Sequence, residues 1–151
     1  MTAQILSVSG AEAWDLIFPE FLAMLDSIQQ ETMRRTLGNS SHVWVGIEDG
    51  KILATWGVIP PTLLSDRAYL WMFHTSHLQK HVFIFVRHSQ RMVQEALSLY
   101  PILVGHAVID NDRAIRWLRW LGAEFGDPIQ GKILPFEIRA GKWQRQQVQS
   151  A

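Results

Sequence analysis

The sequence predicts a three-layer α/β (α+β) domain, with a mixed central β-sheet flanked by helices. Three observations carry this reading. Segments of strand and helix character run in the order strand, helix pair, three strands, helix, strand, helix, two strands. A hairpin signal occupies residues 42–58, and helical periodicity occupies 78–97. Long helices alternate with strands only in the second half, so parallel and antiparallel pairing must mix.

Residues 4–8 read as the first strand. Ser9-Gly10-Ala11-Glu12 has the Ser-x-x-Glu form of a capping box, which ties off free amide donors at a helix start. Trp14, Ile17, Phe18, Phe21, Leu22, Leu25 and Ile28 follow at helical spacing and predict one apolar face. Pro19 interrupts that face and should split or kink the helix. Residues 42–47 and 52–58 are rich in β-formers, and Asp49-Gly50 between them suits a type I′ turn, in which both central residues take positive φ.

Pro60-Pro61 ends that hairpin, and 68–73 is a further strand. Leu78, Val82, Phe85, Val86, Met92, Val93, Ala96 and Leu97 mark a helix that ends by Tyr100-Pro101. Residues 102–109 read as a buried strand. Asn111 or Asp112 then caps a short helix over 113–121, with Gly122 as its stop. Residues 123–125 and 133–139 are the last two strands. The expected organisation is one domain over 1–140 and a polar, flexible tail over 141–151.

Composition narrows the function classes. The chain has 151 residues, 14 Lys+Arg against 14 Asp+Glu, and no Cys. That length supports one domain with a real core. Zero net charge argues against a general nucleic-acid coat or a polybasic membrane binder, since both need a strong positive field. The absence of Cys excludes disulfides, thiolate metal sites and Cys nucleophiles. The most apolar unbroken stretch, 82–86, is far short of the roughly 20 residues of a membrane helix. With no basic and apolar leader at the N-terminus, a soluble intracellular protein is the expectation.

Residues 108–125 contain Asn111, Ala114, Ile115, Leu121 and Gly122 in the pattern strand, Asn-x-x-Ala-hydrophobic, short helix, Leu-Gly. This resembles the GNAT acyltransferase superfamily, and the order of elements extends the likeness over 4–139. Leu97-Ser98-Leu99-Tyr100 and Leu121-Gly122-Ala123-Glu124-Phe125 further resemble small GNAT-like proteins of tailed phages, including an internal virion protein. The resemblance implies a GNAT-like fold and transfer of acetyl from acetyl-CoA to an amine, with no metal. The phage likeness adds the host cytoplasm or the virion interior as locations.

The same resemblance implies site residues. Its phosphate cradle falls on Gln79-Lys80-His81-Val82-Phe83-Ile84, where Gln79 matches and Val82 and Ile84 stand at the two glycine positions. Lys80 and His81 offer charge and donors to phosphate. Asn111 and the backbone around Phe73 to Thr75 complete the coenzyme contacts. Residues 69–75 hold no Asp or Glu, so His74, or His106 on the next strand, is the candidate base. Leu118 stands where the family commonly places a tyrosine acid.

Each of these residues also has a plainer reading. His74 and His106 can be ordinary strand histidines, and Asn111 a helix cap that needs no ligand. His77 and His81 are four apart, a spacing seen in metal sites, but no nearby carboxylate or Cys completes one. Arg113, Arg116 and Arg119 beside Trp117 and Trp120 form either a cationic aromatic face or a solvated helix face. Trp44, Trp56 and Trp71 are core residues unless exposed, in which case they mark a protein interface. The second function class is therefore a non-catalytic virion or assembly protein that keeps the fold. It would meet a protein partner through a Trp-rich surface and the C-terminal tail.

Overall fold

The computed structural model describes residues 3–17, 19, 25–62, 64–75, 78 and 82–141, the side chains of 3 and 82–84 aside. Its elements run β1 (Ala3–Val8), α1 (Gly10–Ile17), α2 (Ser27–Asn39), β2 (His42–Glu48), β3 (Lys51–Ile59), β4 (Arg67–His74), α3 (Val82–Leu99), β5 (Ile102–Val108), α4 (Asp112–Trp120), β6 (Glu124–Phe125) and β7 (Ile133–Arg139). The seven strands form one sheet in the order β1-β2-β3-β4-β5-β7-β6. The β4–β5 pair is parallel, whereas β1–β2, β2–β3, β5–β7 and β6–β7 are antiparallel. This is the mixed α+β sheet expected from the order of the segments. The chain divides into two compact units, Met1–Pro60 with Leu70–Phe85, and Pro61–Tyr69 with Val86–Ala151.

The first unit is built on the β2–β3 hairpin. Asp49 and Gly50 have φ of 53° and 74°, the type I′ geometry that Asp-Gly favours. Trp44 pairs with Trp56 across the hairpin. Trp44, Trp56 and Trp71 are all buried, as are Val43, Val45, Leu53 and Val58. Side chains of that size contribute about 1.5–3 kcal/mol each when fully removed from water.

The capping box at α1 forms as expected. Glu12 N–H donates to Ser9 Oγ at 3.1 Å, and Ser9 N–H donates to Glu12 Oε1 at 3.3 Å. α1 buries Ala13 and Ile17. The helix pair expected on either side of Pro19 is present, with α1 ending at Ile17 and α2 following. α2 starts at Ser27 behind its own capping box, Asp26 with Gln29, and buries Met33 and Leu37. Ile28, expected on the apolar face, is 78% exposed. The new cap resets the helical phase and turns Ile28 outward. Phe18, Phe21 and Leu22 lie outside the described residues.

Two neighbouring residues of β3 point to opposite faces of the sheet. Trp56 meets Phe85 of α3 edge-to-face, with ring centroids 5.8 Å apart. The next residue, Gly57, faces the other way. A Cβ on it would lie 2.6 Å from Trp71 Cζ2 and 2.8 Å from His42 O. Trp71 occupies that space and donates its Nε1–H to Ser40 Oγ at the end of α2, at 2.8 Å.

In the second unit, β5 is half-buried rather than the fully buried strand expected for 102–109. Leu103, Gly105 and Ala107 are covered, whereas His106 and Val108 are exposed. The apolar run misled because Val104 and Val108 stand on the open face. α3 begins at Val82, so Leu78 lies before the helix rather than in it. α4 buries Ile115 and Leu118. Its Trp117 Nε1–H donates to Ser89 Oγ of α3 at 3.0 Å.

The outer side of β7 is tied down by local bonds. Ile129 and Ile133 exchange N–H···O bonds at 2.7 and 3.3 Å, Gly126 N–H donates to Pro135 O at 2.9 Å, and Glu124 pairs with Glu137. Among the described residues no helix is long and apolar enough to cross a membrane.

Candidate functional site

The candidate residues divide between the units. In the first, Phe73, His74 and Thr75 close β4. His74 is exposed, and its Nδ1 lies 3.5 Å from Thr75 O. Thr75 N–H donates to Leu53 O at 3.0 Å, and Thr75 Oγ1 donates to Ile52 O at 2.5 Å. That backbone amide, expected among the coenzyme contacts, is therefore spent on β3.

A small, partly open pocket is lined by Ile17, Ile52, Ala54, Thr55, Phe73, His74 and Thr75. Gln79, Lys80 and His81 lie outside the described residues.

In the second unit the open face of the sheet presents a different constellation. Tyr69 on β4 pairs with Val104 on β5, and His106 follows two residues later on the same face. The Tyr69 hydroxyl and His106 Nδ1 are 3.2 Å apart, with ring centroids separated by 5.6 Å. His106 is exposed and Tyr69 half-buried. Burial raises the Tyr69 pKa above its ordinary value of 10.0, which keeps the phenol neutral. Sequence reading singled out His106 but not Tyr69. The signal was available in outline, since both fall on strands, but the parallel register that brings them together is not encoded locally.

Other carboxylates and cations share that face. Glu137 accepts from Arg139 Nε at 3.0 Å and Nη2 at 3.2 Å. Arg67 and Arg139 are each in register with Ile102 at the opposite end of β5 from Val108.

Asn111 sits at the start of α4, where its Oδ1 accepts from Ala114 N–H at 3.1 Å. The cap reading of Asn111 is thus met by the protein itself. Leu118 is buried, so no proton donor stands there. Arg113, Arg116 and Arg119 are exposed. Arg119 lies over the Phe125 ring at 5.5 Å, while Trp117 is half-buried and Trp120 is 40% exposed. The face is thus chiefly a solvated helix surface. Among the described residues no three His, Cys, Asp or Glu side chains cluster as a metal site. His77 and His81 lie outside those residues.

No protein-family profile matches the sequence, and no curated protein matches it either. Solved structures do match over nearly the whole chain. A variant of the spermidine N-acetyltransferase SpeG from Vibrio cholerae superposes with a TM-score of 0.67 at 11% identity, covering 95% of this chain and 99% of that one. An IAA acetyltransferase from Bacillus cereus gives 0.64 at 8% identity, over 91% and 99% of the two chains. An acetyltransferase of the GNAT family from Streptococcus pneumoniae gives 0.63 at 12% identity, also over 91% and 99%. At these identities the likeness is one of fold, and the fold is the one these acetyltransferases share.

Proposed function

We propose that this chain is an acyl-CoA-dependent N-acyltransferase that moves an acetyl group from acetyl-CoA to an amine. The observation that carries the reading is the full-length match to acetyltransferase structures, with 95% of the chain covered in the SpeG comparison. Fold alone does not fix chemistry, so the residues must bear it. His106 is the better base, because it is exposed to an acceptor and held through Nδ1 by a second polar group. His74 is the alternative, at the mouth of the small pocket.

His106 would take a proton from the acceptor ammonium, and the freed amine would attack the thioester carbonyl carbon. A C–N bond forms as the C–S bond breaks; the proton that the acylated nitrogen loses passes through water to the departing coenzyme A thiolate, and His106 returns the first proton to solvent. Gln79, Lys80 and His81 would meet the phosphates, with Asn111 free to contribute only what its cap leaves over.

A second reading has one observation in its favour. Leu118 is buried where the family's tyrosine acid would stand. A non-catalytic internal virion or assembly protein of a phage would need no acid there. The burial of Trp44, Trp56 and Trp71 removes those residues as partner contacts and leaves Trp120 and the tail.

Thermal unfolding with and without millimolar acetyl-CoA separates the two. Binding to the native state must raise the midpoint. A rise, together with loss of acetyl transfer to a polyamine panel in His106→Ala, supports the enzyme. No rise, with co-purification in assembled particles, overturns it in favour of the second reading.

A further inference from the structure

We propose that Tyr69 is a positioning residue for His106. Its phenol oxygen accepts the Nδ1–H of the ring and leaves Nε2 as the nitrogen that meets an acceptor. The inference rests on the reading of His106 as the base and goes on to say how that base is held.

The geometry comes from the sheet. Tyr69 stands opposite Val104 in the parallel β4–β5 pair, and His106 lies one same-face step further along β5. The 3.2 Å separation joins Nδ1, not Nε2, to the phenol. Nε2 is therefore the ring nitrogen left open, and the exposure of His106 leaves it facing solvent.

A histidine base must present a lone pair, so its other nitrogen must carry the proton. In the charged ring both nitrogens are donors, and only an acceptor can bond Nδ1. Tyr69 Oη is such an acceptor. When Nε2 gives up its proton, the Nδ1–H···O bond persists unchanged, and the neutral ring is left in the tautomer a base needs. Burial supports the arrangement by keeping the phenol neutral, so that the site acquires no second charge.

Carboxylates often orient a histidine in this way, and one is available on the same face. Glu137 lies across from Val104, but both of its oxygens are engaged by Arg139. Its charge is thus matched within β7, and the neutral phenol takes the orienting role. Glu124, opposite Glu137, and Arg67, opposite Ile102, are the other charged groups placed on this face by register.

The test is a ¹⁵N–¹H correlation spectrum of histidine-labelled protein at a pH where the ring is neutral. The His106 signals are assigned by their loss in His106→Gln. The wild-type protein should show the Nδ1–H tautomer at His106, and Tyr69→Phe should shift it to the Nε2–H form that free imidazoles favour. The wild-type tautomer is read without any variant at position 69, so a folding defect in Tyr69→Phe leaves the proposal testable. An Nε2–H tautomer in the wild type, or an unchanged tautomer in Tyr69→Phe, overturns it. If the acetyl-CoA test fails while the tautomer is as expected, the function reading falls and the dyad stands. If acetyl transfer occurs, kcat should fall about tenfold in Tyr69→Phe with KM nearly unchanged, because Tyr69 acts through the base and not on the substrate.

Discussion

Gly57→Ala is the sharpest probe of the first unit. A methyl group there would sit 2.6 and 2.8 Å from the Trp71 indole and 2.8 Å from the His42 carbonyl oxygen. Ordinary carbon contacts begin near 3.5 Å. The indole is buried and anchored by Ser40, and the carbonyl belongs to a paired strand, so neither yields cheaply. Overpacking of this kind costs about 1–3 kcal/mol, and two rigid obstacles place the cost at the upper end, about 2–3 kcal/mol. For a domain of this size that lowers Tm by roughly 5–10 °C.

Gly46→Ala is the internal control on the same hairpin. Its added methyl would lie 3.4 Å from Trp56 Cζ3, an ordinary contact. The change should be close to neutral, because a modest gain from stiffening the unfolded chain offsets the tight fit. Urea unfolding of the two variants and the wild type measures the difference. In a double-mutant cycle, Trp71→Phe should recover part of the Gly57→Ala loss, while the clash with His42 O remains. Equal stabilities for the two glycine variants would refute the argument, because only the packed neighbours distinguish them.

Further outcomes follow from single contacts. Asn111→Ala should cost about 1 kcal/mol through loss of the α4 cap, and Asn111→Asp should restore most of it in the same unfolding assay. Ser89→Ala should cost about 1–2 kcal/mol, since it removes the acceptor of Trp117 Nε1–H inside the second unit; Trp117→Phe in the same background should add less than it does alone. Tyr69 has a folded-state pKa raised by burial, so its contribution to stability is complete below pH 10.0 and is lost as pH rises through the folded value. Urea unfolding at pH 9 and pH 11 should therefore show a steeper loss in the wild type than in Tyr69→Phe.

Local chemistry was legible where it acts locally. Ser9 and Glu12 announced their capping box, Asp49-Gly50 its turn, and Asn111 its cap, because each needs only residues three or four apart. Pro19 announced the helix pair, whereas the phase of α2 is set by Asp26 and Gln29 and does not follow the apolar spacing from Trp14 to Ile28. β5 was misjudged because valine fits an open face as well as a buried one.

The site was legible in part. His106 drew attention by type, but its partner Tyr69 is 37 residues away and meets it only through strand register. Asn111 reads in the sequence both as a coenzyme contact and as a cap, and its cap forms, while the backbone amide of Thr75 bonds Leu53 O. A donor or acceptor in a sequence carries no mark of whether the fold has already claimed it.

The local bonds along β7 bear on how this protein can associate. An exposed strand edge is a template on which another chain can add a strand. Here the outward groups at Ile133 and the carbonyl of Pro135 are taken by Ile129 and Gly126, and Pro135 has no N–H to offer. Glu124 covers Glu137. Extension of the sheet from β7 into a second molecule is thus closed off over 133–137. An assembly made through β7 must use its faces rather than its edge. The exposed Val108 and Ile133, paired across β5 and β7, are the apolar part of such a face.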